Sequence, residues 1–210
     1  YTPDLADLAA IAQICAAVDG MPLAILLAAA WLPLLPPPAI AHQLLDELTT
    51  ETHGIDFLAA DWPDLPERQR NMRTVLDQAW RLLRDTEQSV LAALAVFRGD
   101  FTQAAAHAVA GAKSHQLRSL VEKSWLHRTA ENRYELHELL RQYAAEKLQQ
   151  RPNVALLVQD RHCAYFAAAL ARWAGELRGE RQLGALAELE AELANAQAAW
   201  HWALAQAELD

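Results

Sequence analysis

The sequence predicts a mainly α-helical fold with one small β-hairpin, and three observations carry that expectation. Apolar residues recur at spacings of three and four through most of the 210 residues, with Leu139, Leu140, Tyr143, Ala144 and Leu148 as the clearest stripe. Capping residues and breakers fall at helix-length intervals: Asp85, Thr102 and Ser114 at starts, Gly20, Gly99 and Gly111 at ends. One place reads as paired strands, Leu126 to Arg128 against Arg133 to Leu136, with Thr129 to Asn132 as the turn.

Composition narrows the class. Apolar residues make up 53%, much of it alanine, which suits closely packed helices. The longest apolar run, Met21 to Leu35, is broken by Pro33 and falls short of the roughly 20 residues a membrane span needs. No basic n-region precedes it, which argues against a signal peptide. The chain opens on Tyr1 and a helix pattern begins almost at once, as expected of a piece of a longer protein. Net charge is −9, but all of it belongs to the first 67 residues, which hold ten acidic side chains and no Lys or Arg. An acidic surface repels phosphate backbones, so nucleic acid is not the expected partner. Cys15 and Cys163 sit in apolar helical patterns without close mates, as reduced thiols of a cytoplasmic protein would.

In chain order, Asp4 to Val18 reads as a helix burying Leu5, Leu8, Ile11 and Cys15, and Gly20 ends it in a left-handed conformation. Pro22 suits the first position of the next helix, Leu23 to about Leu32, which is apolar nearly all round and therefore expected to be deeply buried. Pro33 and Pro36 to Pro38 stop it and hold an extended link before a third helix, Ala39 to Leu48. An irregular acidic segment through Trp62, Pro63 and Pro66 marks a boundary. Helices are then expected over 68–83, 87–97, 103–110 and 114–123, followed by the hairpin and a helix opening at His137 and Glu138. A hairpin feeding a helix after several short helices is the outline of a winged-helix unit. Beyond Pro152, Val154 to Leu177 and Arg181 to about Ala207 read as an antiparallel pair, with Leu186, Leu189, Leu193, Ala196 and Trp200 as the second helix's packing stripe. Three regions follow: a helical subdomain over 1–66, a winged-helix domain over 67–151, and the first hairpin of an α-helical repeat region over 152–210.

Four stretches resemble one known family in its own order. They are Gly20-Met-Pro-Leu-Ala-Ile25, Met72 to Leu83 with Glu87 to Thr102, Leu120-Val-Glu-Lys-Ser-Trp-Leu126 with Arg133-Tyr-Glu-Leu-His-Glu138, and Leu189-Glu-Ala-Glu-Leu-Ala-Asn195 through Trp200. Together they resemble the C-terminal part of a STAND (NB-ARC, AP-ATPase-like) nucleotide-switch module that continues into tetratricopeptide-type repeats. The resemblance implies ADP or ATP as cofactor of the full-length protein, with His137 on the β-phosphate and Pro22 against the adenine, and Gly20, Met21 and Glu138 as weaker contributors. Glu138 stands where the family has Asp, and Leu136 where it has Met. The residues themselves allow a plainer account, in which His137 bonds locally at a helix start and Pro22 simply begins a helix.

No G-x-x-x-x-G-K-[ST] spacing occurs, so the chain is expected neither to hydrolyse ATP nor to hold nucleotide alone. No histidine pair has metal-ligand spacing, and no Ser, Cys or Lys has an identifiable base partner. Trp80, Trp125, Trp173, Trp200 and Trp202 read as core or repeat-interface residues, and Arg128, Arg133 and Arg141 as a solvated face rather than a basic patch. The resemblance implies a regulatory part of a signal-transduction ATPase. It would hold the resting state and work with an absent P-loop domain, downstream repeats, a protein ligand or signal at those repeats, and an activation-dependent homo-oligomer. The alternatives are a DNA-binding winged-helix transcription regulator and a helical protein-interaction scaffold.

Overall fold

The computed structural model describes residues 3–49 and 71–207. The acidic segment through Trp62, Pro63 and Pro66 lies outside the described residues, as do residues 68–70 of the expected 68–83 helix. Among the described residues are eleven helices and one two-stranded antiparallel sheet, so the mainly α expectation holds. None of these helices is long and apolar enough to cross a membrane. The chain forms two compact units.

The first unit takes in the described residues up to Arg84 together with His137–Tyr143. Helix α1 spans Leu5–Ala17 and is capped reciprocally by the Asp4 and Asp7 carboxylates, each accepting from the other's backbone N–H at 2.9–3.1 Å. Its buried face is not the expected one. Ala10, Ile14 and, just past its end, Val18 are covered, whereas Leu5 is 86% exposed and Leu8 51%. Apolar residues surround this helix, so their spacing does not select a face, and the small Ala10 lets α3 come close. Gly20, at φ +65°, ends α1 as expected, its N–H donating to Cys15 O while Asp19 donates to Ala16 O.

Helix α2 (Pro22–Ala29) starts on Pro22, but it is covered only along Ala24, Leu27 and Ala28 and is not buried all round. Pro37 and Pro38 do not form an extended link. They occupy the first turn of α3 (Pro37–Thr49), where a missing N–H leaves no helix bond unmade. Helix α4 (Met72–Arg81) is capped by the Asn71 side chain and buries Met72 and Leu76.

The second unit comprises Asp85–Leu136 and everything described from Ala144 onward. It contains α5 (Asp85–Leu94), α6 (Gln103–Ala110), α7 (Ser114–Glu122), β1 (His127–Arg128), β2 (Tyr134–Glu135), the second half of α8 (Glu138–Gln149), and α9 (Pro152–Glu176), α10 (Gln182–Ala191) and α11 (Leu193–Ala207). Asp85 lies inside the first turn of α5 rather than capping it, and Lys113 rather than Ser114 precedes α7. The Gln116 side chain accepts from the Lys113 N–H at 2.9 Å. Thr102 caps α6, its hydroxyl oxygen accepting from Ala105 N at 3.1 Å, and Gly111 ends it at φ +64°.

The hairpin pairs His127 with Glu135 and Arg128 with Tyr134, and Asn132 takes the turn at φ +61°. Tyr134 also exchanges two backbone hydrogen bonds of 2.8 Å with Phe101, which extends the pairing to the segment before α6. Phe97, Phe101, Phe166 and His162 form the aromatic centre of the unit. Phe97 stacks on Phe101 at 4.4 Å, and Phe166 meets His162 at 4.7 Å between ring centroids.

The expected continuous helix from Arg181 breaks at Glu192 into α10 and α11. Of its expected stripe only Ala196 is fully covered: Leu186, Leu193 and Trp200 are exposed, and the covered face adds Ala185, Asn195 and Ala199. Alanine faces let α9 and α11 approach closely, and the larger side chains are left outside.

Between α5 and α7 lies a buried ion pair. Glu87, 2% exposed, accepts from Lys123 Nζ and from the Ser119 hydroxyl, each at 2.7 Å. Removing the cation leaves the carboxylate buried without that countercharge. Lys123→Ala is therefore expected to lower unfolding free energy by about 1–3 kcal/mol in chemical denaturation. Arg118→Ala, which breaks an exposed pair with Glu122, should change it by less than about 1 kcal/mol.

Candidate functional site

Helices α6 and α7 are joined by three residues, Gly111-Ala112-Lys113, and followed by a two-stranded wing. Two helices linked by a short glycine-containing turn match the connection of a helix-turn-helix. Leu117 and Leu120 anchor α7 in the core, so Ser114, His115, Arg118 and Glu122 face outward. The turn is tied at both ends: Gln103 Nε2 donates to Ser114 Oγ at 3.0 Å, and His107 Nδ1 lies 3.3 Å from Ala112 O. Lys113 and Arg128 are exposed cations beside this face, with Glu122, Glu131 and Glu135 as exposed carboxylates.

A polar clamp holds the base of the wing. Arg133 Nε lies 3.0 Å from Asp100 Oδ2, and Arg133 Nη2 donates to Glu192 Oε1 at 2.6 Å and to Asp100 O at 3.3 Å. Asn195, 1% exposed, completes it. Its carbonyl oxygen accepts from Arg98 N at 2.7 Å, and its amide donates to Asp100 O and Glu192 Oε2 at 3.0 and 3.1 Å. Burial alone would lower the Arg133 pKa, but the bonds and charges of Glu192 and Asp100 outweigh it, and the pKa stands above its ordinary value. These contacts correct the expectation of a solvated arginine face: Arg133 is enclosed by carboxylates, Arg141 is buried and paired with Glu138 at 2.7 Å, and Arg128 alone of the three is exposed.

Gly20, Met21, Pro22, His137 and Glu138 all belong to the first unit, at the starts of two helices. Pro22 is exposed as the first residue of α2, with Met21 half-buried before it. His137 precedes α8, accepts from Arg141 N through its carbonyl at 2.8 Å, and accepts from Leu139 N through ring Nδ1 at 3.3 Å. That bond requires Nδ1 to be unprotonated and makes the imidazole a helix cap. Glu138 holds Arg141 through both carboxylate oxygens. Among the described residues no cluster of three metal-ligating side chains occurs.

The residues that sequence reasoning missed are Asp100, Glu192 and Asn195. Glu192 and Asn195 sit three apart on the face that also carries Ala196 and Ala199. Polar residues set among small ones on a covered face were the signal that could have found them.

No family model matches the chain. It is 34% identical over 204 residues to a Mycobacterium bovis protein provisionally named an HTH-type transcriptional regulator, a match covering 92% of this chain and 22% of that protein. Its relatives are named as regulators of transcription. Two Mycobacterium tuberculosis proteins, from strains CDC 1551 and H37Rv, bear the same provisional name and match with the same identity and coverage. The chain thus spans about a fifth of the length of these relatives. Their names overturn the expectation of a regulatory part of a signal-transduction ATPase working as an ATP/ADP switch, and favour the alternative of a transcription regulator.

Two measurements test the clamp. Arg133→Ala leaves two carboxylates without their shared cation and is expected to cost about 3–5 kcal/mol in denaturant unfolding. His162, next to the clamp at 1% exposure, has its pKa driven down to about 4 by burial, against an interaction with Asn195 that raises it and with the Arg98 charge lowering it further. The unfolded chain binds this proton near pH 6.5 and the native chain does not, so the stability contribution is full above that pH and is lost as pH falls to about 4. The loss should total about 3 kcal/mol, and His162→Phe should flatten that part of the pH–stability curve.

Proposed function

We propose that this chain is a segment of an HTH-type transcriptional regulator, with α6, α7 and the β1–β2 wing as its duplex-facing surface. The observation that carries the reading is the 34% identity, over 92% of the chain, to proteins so named. The three-residue turn between α6 and α7 and the wing that follows support it independently. In this reading Ser114, His115 and Arg118, in the first turns of α7, reach base edges, and Lys113 and Arg128 meet phosphates. A regulator of transcription works in the cytoplasm, which suits the free thiols of Cys15 and Cys163.

The overall charge of −9 does not oppose this reading where it matters. Of 18 Lys and Arg none precedes residue 68, and of 27 Asp and Glu ten do, so residues 68–210 carry 18 − 17 = +1. Arg118 is engaged by Glu122 at 2.8 Å, but the pair is solvent-exposed and its separation costs less than about 1 kcal/mol. With few phosphate contacts available, specificity must come from bases and shape more than from charge.

Selection of sequences from a random duplex pool, followed by anisotropy titration of the enriched site, tests the proposal. A single enriched motif is expected, with a shallow dependence of log affinity on log salt, a slope of about −2 for two phosphates. Arg118→Ala should weaken that site by about tenfold or more without altering the fold. No enriched motif and no binding at low salt would refute the reading.

A further inference from the structure

A cleft of about 380 Å³ opens in the second unit, lined among others by Thr102, Arg133, Tyr165, Phe166, Arg172 and Trp173. That volume lies toward the small end of the range for small-molecule sites. Phe166 and Trp173 are almost wholly covered and Tyr165 is half-buried, so the aromatic part of the lining is fixed before anything binds. Arg172 lies 5.6 Å from the Trp173 ring centroid.

The hydrogen-bonding groups of the lining are unevenly used. Its two carboxylates are already engaged. Glu188 accepts from Arg172 Nη2 at 2.8 Å, Trp173 Nε1 at 2.9 Å and Arg181 Nη2 at 3.3 Å, and Glu192 accepts from Arg133 and Asn195. The Trp173 bond is the main cause that holds the Glu188 carboxyl below its ordinary range, with Arg172 and Arg181 adding to it. The donors are not exhausted. Arg133 and Arg172 each bind through some of their five N–H groups, with Nη1 of both donating to nothing among the described residues. The Thr102 oxygen accepts from Ala105, which leaves its O–H to give, and the Tyr165 O–H has no acceptor among the described residues.

We propose that this cleft is a binding site for a small planar carboxylate, an aromatic acid whose ring lies against Trp173 and Tyr165 and whose carboxylate takes the remaining donors of Arg172 and Arg133. An organic cation finds no carboxylate oxygen there without a donor already on it. A ligand without an apolar ring leaves the aromatic walls unmatched. Guanidinium N–H pairs match a carboxylate in geometry as well as charge. The site is independent of the DNA reading, because it rests on the lining of the cleft and not on the exposed face of α7.

Benzoate is the probe, with benzylamine as its cationic counterpart, each titrated into the full chain by calorimetry and by ligand-observed saturation-transfer NMR. Benzoate is expected to bind with Kd below about 1 mM and benzylamine not to saturate. Arg172→Ala alters a half-exposed side chain and should leave the fold intact while weakening benzoate by about tenfold or more. Ala169→Leu, which fills the cleft from its half-buried wall, should abolish binding. Absence of benzoate binding, equal binding of benzylamine, or an affinity unmoved by Arg172→Ala would overturn the proposal.

Discussion

Arg133 lies between Asp100 and Glu192 with little water around it, and the wing, the segment before α6 and the start of α11 all meet there. Enclosing charges is costly unless each finds partners, and here each does: the guanidinium has two carboxylates and a carbonyl, and Asn195 bonds both Glu192 and the Arg98–Asp100 backbone. Asn195 gives one donor and one acceptor to a backbone stretch much as a strand would. The wing is only two residues long on each side, too little to persist alone. Its two bonds to Phe101 and the clamp at Arg133 supply what the ladder lacks.

The same clamp sits where α10 gives way to α11. Glu192 and Asn195 turn their polar groups toward Arg133 and Asp100, and the helix breaks at Glu192 where they do so. The wing and α9–α11 belong to one unit, and Arg133, Asp100 and Glu192 join them through charged side chains.

Local signals in the sequence were readable wherever one residue type has one structural use. Thr102 and Gly111 bracket α6, Gly20 ends α1, Pro22 opens α2, and the Leu139–Leu148 stripe of α8 is buried throughout, because caps, positive φ and a strong apolar period are local properties. The α1 and α11 faces were misread for a shared reason. Helices that are apolar nearly all round do not single out one face, and the covered sides are Ala10 and Ile14 in α1 and Asn195, Ala196 and Ala199 in α11. The clamp was beyond local reading, since Arg133 and Glu192 are 59 residues apart and Asn195 and Asp100 are 95 apart. Nothing near any of the four marks the others. The motif stretches containing Arg133, Glu192 and Asn195 were visible as a resemblance, but not what those side chains hold.

Native-state hydrogen exchange tests most directly whether the wing and the C-terminal helices form one cooperative unit. The Tyr134 amide, bonded to Phe101 O at 2.8 Å, reports the wing, and the Ala196 amide, bonded to Glu192 O at 2.8 Å, reports the start of α11. The account predicts that both open at the same free energy in the unaltered chain, and that Asn195→Ala lowers both together. A Tyr134 amide that exchanges freely while Ala196 stays protected would contradict it, because the wing would then be held by nothing in the clamp.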